Sequence, residues 1–190
     1  ELAWGSLEAR AYHDKVDHFM EFGPDKKFLY TAGNTSQGMP MNTRGKTTGA
    51  AVKASIVLTE QDLLRVGGEL QQYRLNDWWP AVAGSAGMGP NDFLNINNGE
   101  RDRTALFGEW EKNLNPQWLT LLGLRYERVN TNTDMVHGYN QSTFPTTVAG
   151  GSMNQIRDGA NFNNANRDKT DNNLDVTILG RYTPDDTKDI

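Results

Sequence analysis

Residues 103–130, RTALFGEWEKNLNPQWLTLLGLRYERVN, decide the fold of this chain. Two runs of about ten residues alternate in polarity, and the tight turn Asn-Leu-Asn-Pro at 113–116 joins them, a pattern that predicts a β-hairpin. Successive side chains of a strand point to opposite sides, so each run has two faces. One face carries Leu106, Gly108, Trp110, Trp118, Thr120, Leu122, Leu124 and Tyr126, and the other carries Phe107, Glu109, Glu111, Leu121, Gly123, Arg125 and Glu127. The apolar face has an aromatic residue near the turn on both strands, which is typical of a membrane-spanning β-strand.

The rest of the chain repeats this alternation. Further strands are predicted at 2–22, 42–58, 64–79 and 173–183, which with the hairpin makes about six. The connections alternate between long loops, at 23–41, 80–100 and 131–171, and short turns such as 59–61. Long structureless loops argue against a compact domain that is not in a membrane, whereas outer-membrane barrels combine long external loops with short periplasmic turns. The predicted fold is therefore all-β: a segment of an antiparallel up-and-down transmembrane β-barrel.

The composition argues against several classes of protein. The chain has 190 residues, 36% of them hydrophobic, and has no run of eighteen apolar residues that could form a transmembrane helix. A net charge of −5 argues against nucleic acid as a partner, because phosphate binding needs clustered Lys and Arg. The absence of cysteine excludes disulfides and thiolate metal sites within this chain.

Two stretches resemble a known family. The hairpin FGEWEKNLNPQWLTLLGLRYE is similar to strand pairs of TonB-dependent receptors, which import metal complexes across the bacterial outer membrane. Residues 12–20, YHDKVDHFM, together with SQGMPMNTRGKTTGAAV at 36–52, resemble the TonB-dependent copper receptors. The resemblance implies that residues 1–190 are part of such a barrel, without its amino-terminal plug domain and its remaining strands.

The resemblance also implies a site, a cargo and partners. In the copper receptors a His-x-Met pair on a barrel strand helps to bind copper, and the matching residues here are His18 and Met20. The family's other ligands, a cysteine and a methionine, belong to the plug. Copper would be the transported ligand, the TonB complex would act through the plug, and the barrel would lie in outer-membrane lipid.

The chemistry of the pair agrees with this assignment. His18 and Met20 are two residues apart, so on a strand they share a face with Glu8, Arg10 and Asp14. A thioether is a soft donor that favours Cu(I), and imidazole suits copper. His13 has the opposite parity and is predicted to face outward.

Other soft donors are weaker candidates. Met39 and Met41 in one loop, and Met135 and His137 in another, could contact a metal or ligand, although gap filling in loops is the ordinary role of Met. The Asp and Asn residues at 154–173 lack the spacing of an EF-hand calcium loop.

Alternatives to copper import stay open. The chain has no G-x-S-x-G, H-E-x-x-H or P-loop motif, so an enzyme is not expected. A siderophore or other iron-complex receptor would keep the barrel but bind its ligand through aromatic and Arg residues of the loops. A secreted β-rich binding module would instead cover the face of Leu122 and Leu124 with a second sheet.

Overall fold

The computed structural model describes residues 3–20, 40–83, 85, 87–148 and 154–184. They form one six-stranded antiparallel sheet in which every strand pairs with its neighbours in the sequence, so the all-β, up-and-down order predicted above is confirmed. The strands are β1 (Gly5–Met20), β2 (Met41–Thr59), β3 (Asp62–Trp79), β4 (Phe93–Asn115), β5 (Trp118–Asn132) and β6 (Lys169–Tyr182). No helix among the described residues has the length and apolarity needed to cross a membrane.

One face of the sheet is apolar across all six strands, because the register aligns the alternating residues. Three rows of paired residues run from β1 to β6, and we call them together the apolar band: Gly5, Ile56, Leu64, Trp110, Leu122 and Ile178; Leu7, Ala54, Val66, Gly108, Leu124 and Val176; Ala9, Val52, Gly68, Leu106, Tyr126 and Leu174. Leu124 is 54% exposed, Val176 65% and Ile178 78%. Within the described part of the chain, no second layer covers this face.

The opposite face, called the charged face here, carries a network of ion pairs. Glu69 of β3 accepts hydrogen bonds from Arg125 at 2.8 Å and Arg103 at 3.3 Å, and Arg125 also contacts Glu127 at 3.3 Å. Nearer the short turns, Arg65 pairs with Glu109 at 2.6 Å and Glu111 at 2.9 Å. These acidic and basic groups therefore pair with one another, both within a strand and across β3, β4 and β5.

Irregular pairing is confined to the ends of the strands. Register shifts occur between Val57 and Thr59 and between Asn113 and Asn115 near the short turns, and around Asp77 near the long loops. None of these shifts falls within the three rows of the apolar band. The two faces therefore stay separate over the whole middle of the sheet, since a one-residue slip would exchange them.

The long connections contain more structure than the sequence indicated. A helix, α1 (Asn154–Asn164), lies in the predicted loop 131–171, and β4 begins at Phe93, within the predicted loop 80–100. Hydrophobic periodicity does not reveal α1, because an asparagine anchors it. Asn163 is 4% exposed, donates to the carbonyls of Val136 (2.9 Å) and Pro145 (2.8 Å), and accepts from the Val136 amide (2.8 Å).

Gly67 marks a close approach between three strands. A Cβ at this position would lie 2.5 Å from Phe107 Cζ and 2.5 Å from the Val52 carbonyl oxygen, whereas a Cβ at Gly108 would meet no more than Val66 Cγ1 at 3.9 Å. We expect Gly67→Ala to lower the free energy of unfolding of the complete protein by about 1–3 kcal/mol, through overpacking.

Gly108→Ala is the matched control. It should leave stability unchanged or raise it slightly, because glycine within a strand costs conformational entropy. Denaturant titration followed by tryptophan fluorescence measures both variants. Equal stability of the two would show that the packing around Gly67 is looser than described.

Candidate functional site

The predicted pair His18 and Met20 lies at the long-loop end of β1, on the charged face. In the register His18 lies opposite Thr43, and Met20 lies opposite Met41, the first residue of β2. Directly opposed residues of antiparallel strands have Cβ atoms about 4.5–5.5 Å apart. The fold therefore brings Met41 beside Met20, with His18 two residues along the same face. We call His18, Met20 and Met41 the soft-donor corner.

The sequence indicated only part of this corner. Met41 was predicted to lie in a loop and to be a weaker candidate ligand, but it begins β2 and lies opposite Met20. The pairing follows from hairpin geometry: Ala11 opposes Ala50, so residues nine positions further towards the loop on each strand also oppose each other. Matching the two alternating runs before assigning the loop would have suggested it.

A buried carboxylate, which hydrophobic periodicity did not indicate, holds the strand next to the corner. Asp77 of β3 is 8% exposed and lies opposite Thr43. Its Oδ2 accepts from Thr43 Oγ1 at 2.7 Å, while its Oδ1 accepts from Trp79 Nε1 at 3.1 Å and Asn95 Nδ2 at 3.0 Å. Thr43 also opposes His18, so this network fixes the backbone position beside the candidate ligand. Alternation predicts the face on which Asp77 lies but not that donors from three strands meet its carboxylate.

The remaining candidates do not join this corner. Met39 lies outside the described residues. Met135 and His137 follow β5; the Met135 carbonyl accepts from Asn97 Nδ2 at 2.9 Å, and His137 forms a bridge with Leu94. Among the described residues the backbone of β1 pairs with β2 alone, and β1 and β5 are about 19 Å apart at 4.8 Å per strand. Met135 and His137 thus form a separate group.

His137 lines a cavity of about 360 Å³ between α1 and the start of β4. Apolar side chains of Phe93, Leu94, Val136 and Phe162 form much of its wall, and Gln155 and Asp158 add polar groups. The ring of His137 lies 5.5 Å from that of Phe144. The cavity is therefore a mixed aromatic and polar recess at the long-loop end of the sheet.

The donors of the corner suit one kind of metal. No group of three or more His, Asp or Glu residues that could hold an ion occurs in the described part of the chain. The corner instead combines one imidazole with two thioethers. Thioethers bind soft ions such as Cu(I), and hard ions such as Ca²⁺ or Mg²⁺ need oxygen ligands instead.

Charged side chains surround the same end of the sheet on the opposite face. Asp17, next to His18 in the chain, accepts from Arg44 Nε at 2.6 Å and pairs with Lys15 Nζ at 2.9 Å. Hydrogen bonds from Arg44 and Lys15 hold the pKa of the exposed Asp17 carboxyl below its usual value. His13 also lies on this face, as predicted, with its Nδ1 2.8 Å from Thr48 Oγ1.

Comparison with solved structures relates this fold to a transporter. The chain is similar to the copper transporter OprC, with a TM-score of 0.62 and 16% sequence identity over 95% of this chain. The chain spans 26% of the length of that transporter. A likeness at this identity establishes the fold alone. No protein-family model and no curated protein sequence matches the chain.

Replacing Asp77 should reveal how far its network supports the corner. Asp77→Ala removes the acceptor of Thr43, Trp79 and Asn95, and a hydrogen bond to a charged group contributes about 1.5–3 kcal/mol. We expect the free energy of unfolding of the complete protein to fall by at least about 2 kcal/mol.

Asp77→Asn is the control of matched shape. Its carbonyl can still accept from Trp79 and Asn95, and its amide can donate to Thr43 Oγ1, so stability should change by less than about 1 kcal/mol. Denaturant titration compares the variants. Equal losses in both would mean that the negative charge of Asp77, and not the hydrogen-bond geometry, matters.

Proposed function

We propose that this chain is a wall segment of a TonB-dependent receptor barrel of the bacterial outer membrane, and that the complete receptor imports copper. The soft-donor corner carries the proposal, because the register places His18, Met20 and Met41 together at the long-loop end of the charged face. The fold likeness to a copper transporter supports the same cargo.

Membrane insertion is supported by the dimensions of the apolar band. On β3 the band is bounded by Asp62 at the short-turn end and Gln72 at the long-loop end. Ten residues at about 3.3 Å, tilted by about 45°, rise about 23 Å, close to the ~25 Å apolar belt of outer-membrane barrels. Near the short turns the rings of Trp118 and Tyr182 lie 4.7 Å apart, as expected of an interfacial aromatic girdle.

The charged face would then line the interior of the barrel. Its arginines and glutamates are paired across strands, so the wall presents fixed polar groups to a water-filled or plugged lumen. The corner stands at the outer mouth of that lumen, beyond the ion pairs. Copper arriving from outside would therefore meet the soft donors first.

Import also requires a plug domain and the TonB complex, both of which the family resemblance implies. His18, Met20 and Met41 would provide one side of the coordination shell, and the plug, with its cysteine and methionine, would provide the other. TonB would then pull on the plug and open a path along the charged face. The role of this chain's own residues is to bind copper at the mouth and hold it against the plug.

A receptor for an iron complex is the second candidate. The aromatic cavity between α1 and β4, lined by Phe93, Phe162 and His137, suits an organic ligand better than a bare ion. In that case the loops would contact the ligand and the soft-donor corner would be unused. The secreted β-rich module has less support, since Leu124 and Val176 lie uncovered.

Removing the predicted pair should abolish copper retention. His18→Ala combined with Met20→Ala, made in the complete receptor, should reduce copper from about one ion per protein to less than a tenth, because a thioether and an imidazole are lost together. Elemental analysis of the purified protein measures it. Met41→Ala alone should weaken copper binding without abolishing it.

His13→Ala is the matched control, since His13 lies on the same strand but on the other face. It should retain copper fully. Unchanged copper in the His18 and Met20 double variant would refute the assignment, and co-purified iron in its place would favour the second candidate.

Charge added to the apolar band should destabilise the inserted barrel. Val176 and Thr177 are adjacent exposed residues of β6 on opposite faces. Val176→Arg should lower the free energy of unfolding in a bilayer by about 2–4 kcal/mol, because the arginine would face hydrocarbon. Thr177→Arg, on the lumen side, should change it by less than about 1 kcal/mol. Equal effects in lipid vesicles would mean that the band does not face lipid.

A further inference from the structure

An aromatic residue lies beside the soft-donor corner on the next strand. Asn42 opposes Trp78 in the register of β2 and β3, so one residue further along Met41 is level with Trp79. Met41 in turn opposes Met20 of β1. Trp79 therefore continues the row of the two methionines onto a third strand, with about 4.8 Å between neighbouring strands.

Two contacts fix the orientation of the Trp79 indole. Its Nε1 donates to Asp77 Oδ1 at 3.1 Å, two residues back on the same face, so the ring leans towards the row of Thr43 and His18. Phe93 of β4 stacks on the ring, with centroids 5.2 Å apart and planes at 27°. Because β4 and β2 lie on opposite sides of β3, the other face of the indole is turned towards β2 and the soft-donor corner.

An aromatic face in this position can attract a positive ion. The π-electrons of a ring attract a cation that lies within about 6 Å of the ring centroid, and tryptophan does so more strongly than tyrosine or phenylalanine. The attraction is larger where water is excluded, and the Trp79 side chain is half-buried. Among the described residues, no lysine or arginine lies over this ring, so the chain supplies no cation of its own there.

The two oxidation states of copper should respond differently to such a face. Cu(I) is selected by soft thioether ligands, whereas Cu(II) favours square-planar or tetragonal sites built from nitrogen and oxygen. An indole face offers neither a lone pair nor a place for bound water. It therefore suits the soft monovalent ion and obstructs the fourth ligand that a square-planar ion needs.

We propose that Trp79 is a further binding residue of the copper site, and that its indole face makes the site selective for Cu(I) over Cu(II). This inference rests on the proposed copper import. His18, Met20 and Met41 would donate electron pairs to the ion, and the indole would cover it from the β3 side and exclude water. The hydrogen bond to Asp77 would hold the ring in place.

The Cu(I) affinity of the complete receptor tests the proposal. The receptor is kept anaerobic with excess reductant, and bathocuproine disulfonate, a coloured Cu(I) chelator, competes for the ion. Trp79→Leu should weaken Cu(I) binding by about tenfold and Trp79→Phe by about threefold, because the π-face of phenylalanine is weaker than that of indole. Both variants lose the hydrogen bond to Asp77, so the difference between them measures the effect of the ring alone. Trp79→Phe also keeps a ring against Phe93, which preserves the test if Trp79→Leu does not fold.

Two further measurements separate ion contact from a purely structural role. Ag(I), a soft monovalent ion that is inert to the reductant's absence, should quench the emission of the Trp79 indole when it binds. The quenching should be lost in Trp79→Phe. Cu(II) affinity, measured in air without reductant, should be the same in Trp79→Leu as in the unaltered receptor.

Trp78→Phe is the matched control. Trp78 is the preceding residue but lies on the opposite face, where its ring is 5.6 Å from the Arg44 guanidinium. This variant should bind Cu(I) as the unaltered receptor does and should keep the quenching by Ag(I).

The outcomes distinguish this inference from the copper proposal. Unchanged Cu(I) affinity in both Trp79 variants would overturn the inference, and so would equal losses in the two, since the hydrogen bond to Asp77 would then account for the effect. The copper proposal fails, and this inference with it, if the unaltered receptor binds no Cu(I). Copper bound by the unaltered receptor and lost in the His18 and Met20 double variant, with normal Trp79 variants, would overturn the role of Trp79 alone.

Discussion

The unbroken register across six strands is the constraint on which the rest of this structure depends. Backbone hydrogen bonds fix which residues oppose each other, and the period of two in a strand then decides which face each side chain occupies. Because every register shift lies near a strand end, three complete rows of apolar residues stay on one side. The same register places the ion pairs and the soft-donor corner. One misaligned pair of strands would mix all of these features.

Sequence periodicity was enough to predict the strands and their faces, and the structure confirms the six-stranded up-and-down order. It was not enough for the long connections. Helix α1 is held by the amide of Asn163, a polar contact that leaves no hydrophobic pattern. The role of Asp77 was not predicted either, because its three donors lie on three strands: Thr43 on β2, Trp79 on β3 and Asn95 on β4. Alternation describes regular strands, and these contacts arise where regularity ends.

The candidate site, too, could be predicted only in part from the sequence. His18 and Met20 were assigned to one face from their spacing and from the resemblance to copper receptors, and the structure places them opposite Thr43 and Met41. Pairing between strands, which spacing within one strand cannot reveal, adds Met41. Metal binding by these residues stays a prediction. The physical reason to favour a soft ion is the donor set itself, two thioethers and an imidazole with no cluster of carboxylates among the described residues.

Each strand of this sheet pairs with the strand just before and just after it in the chain. Every contact between strands can therefore form by adding one hairpin arm to an edge that already exists, without waiting for a distant segment. Loop closure is short at the two tight turns and longer at the three long connections, but its entropic cost grows only slowly with loop length. The wall can thus assemble strand by strand along the chain, with each completed arm serving as the template for the next.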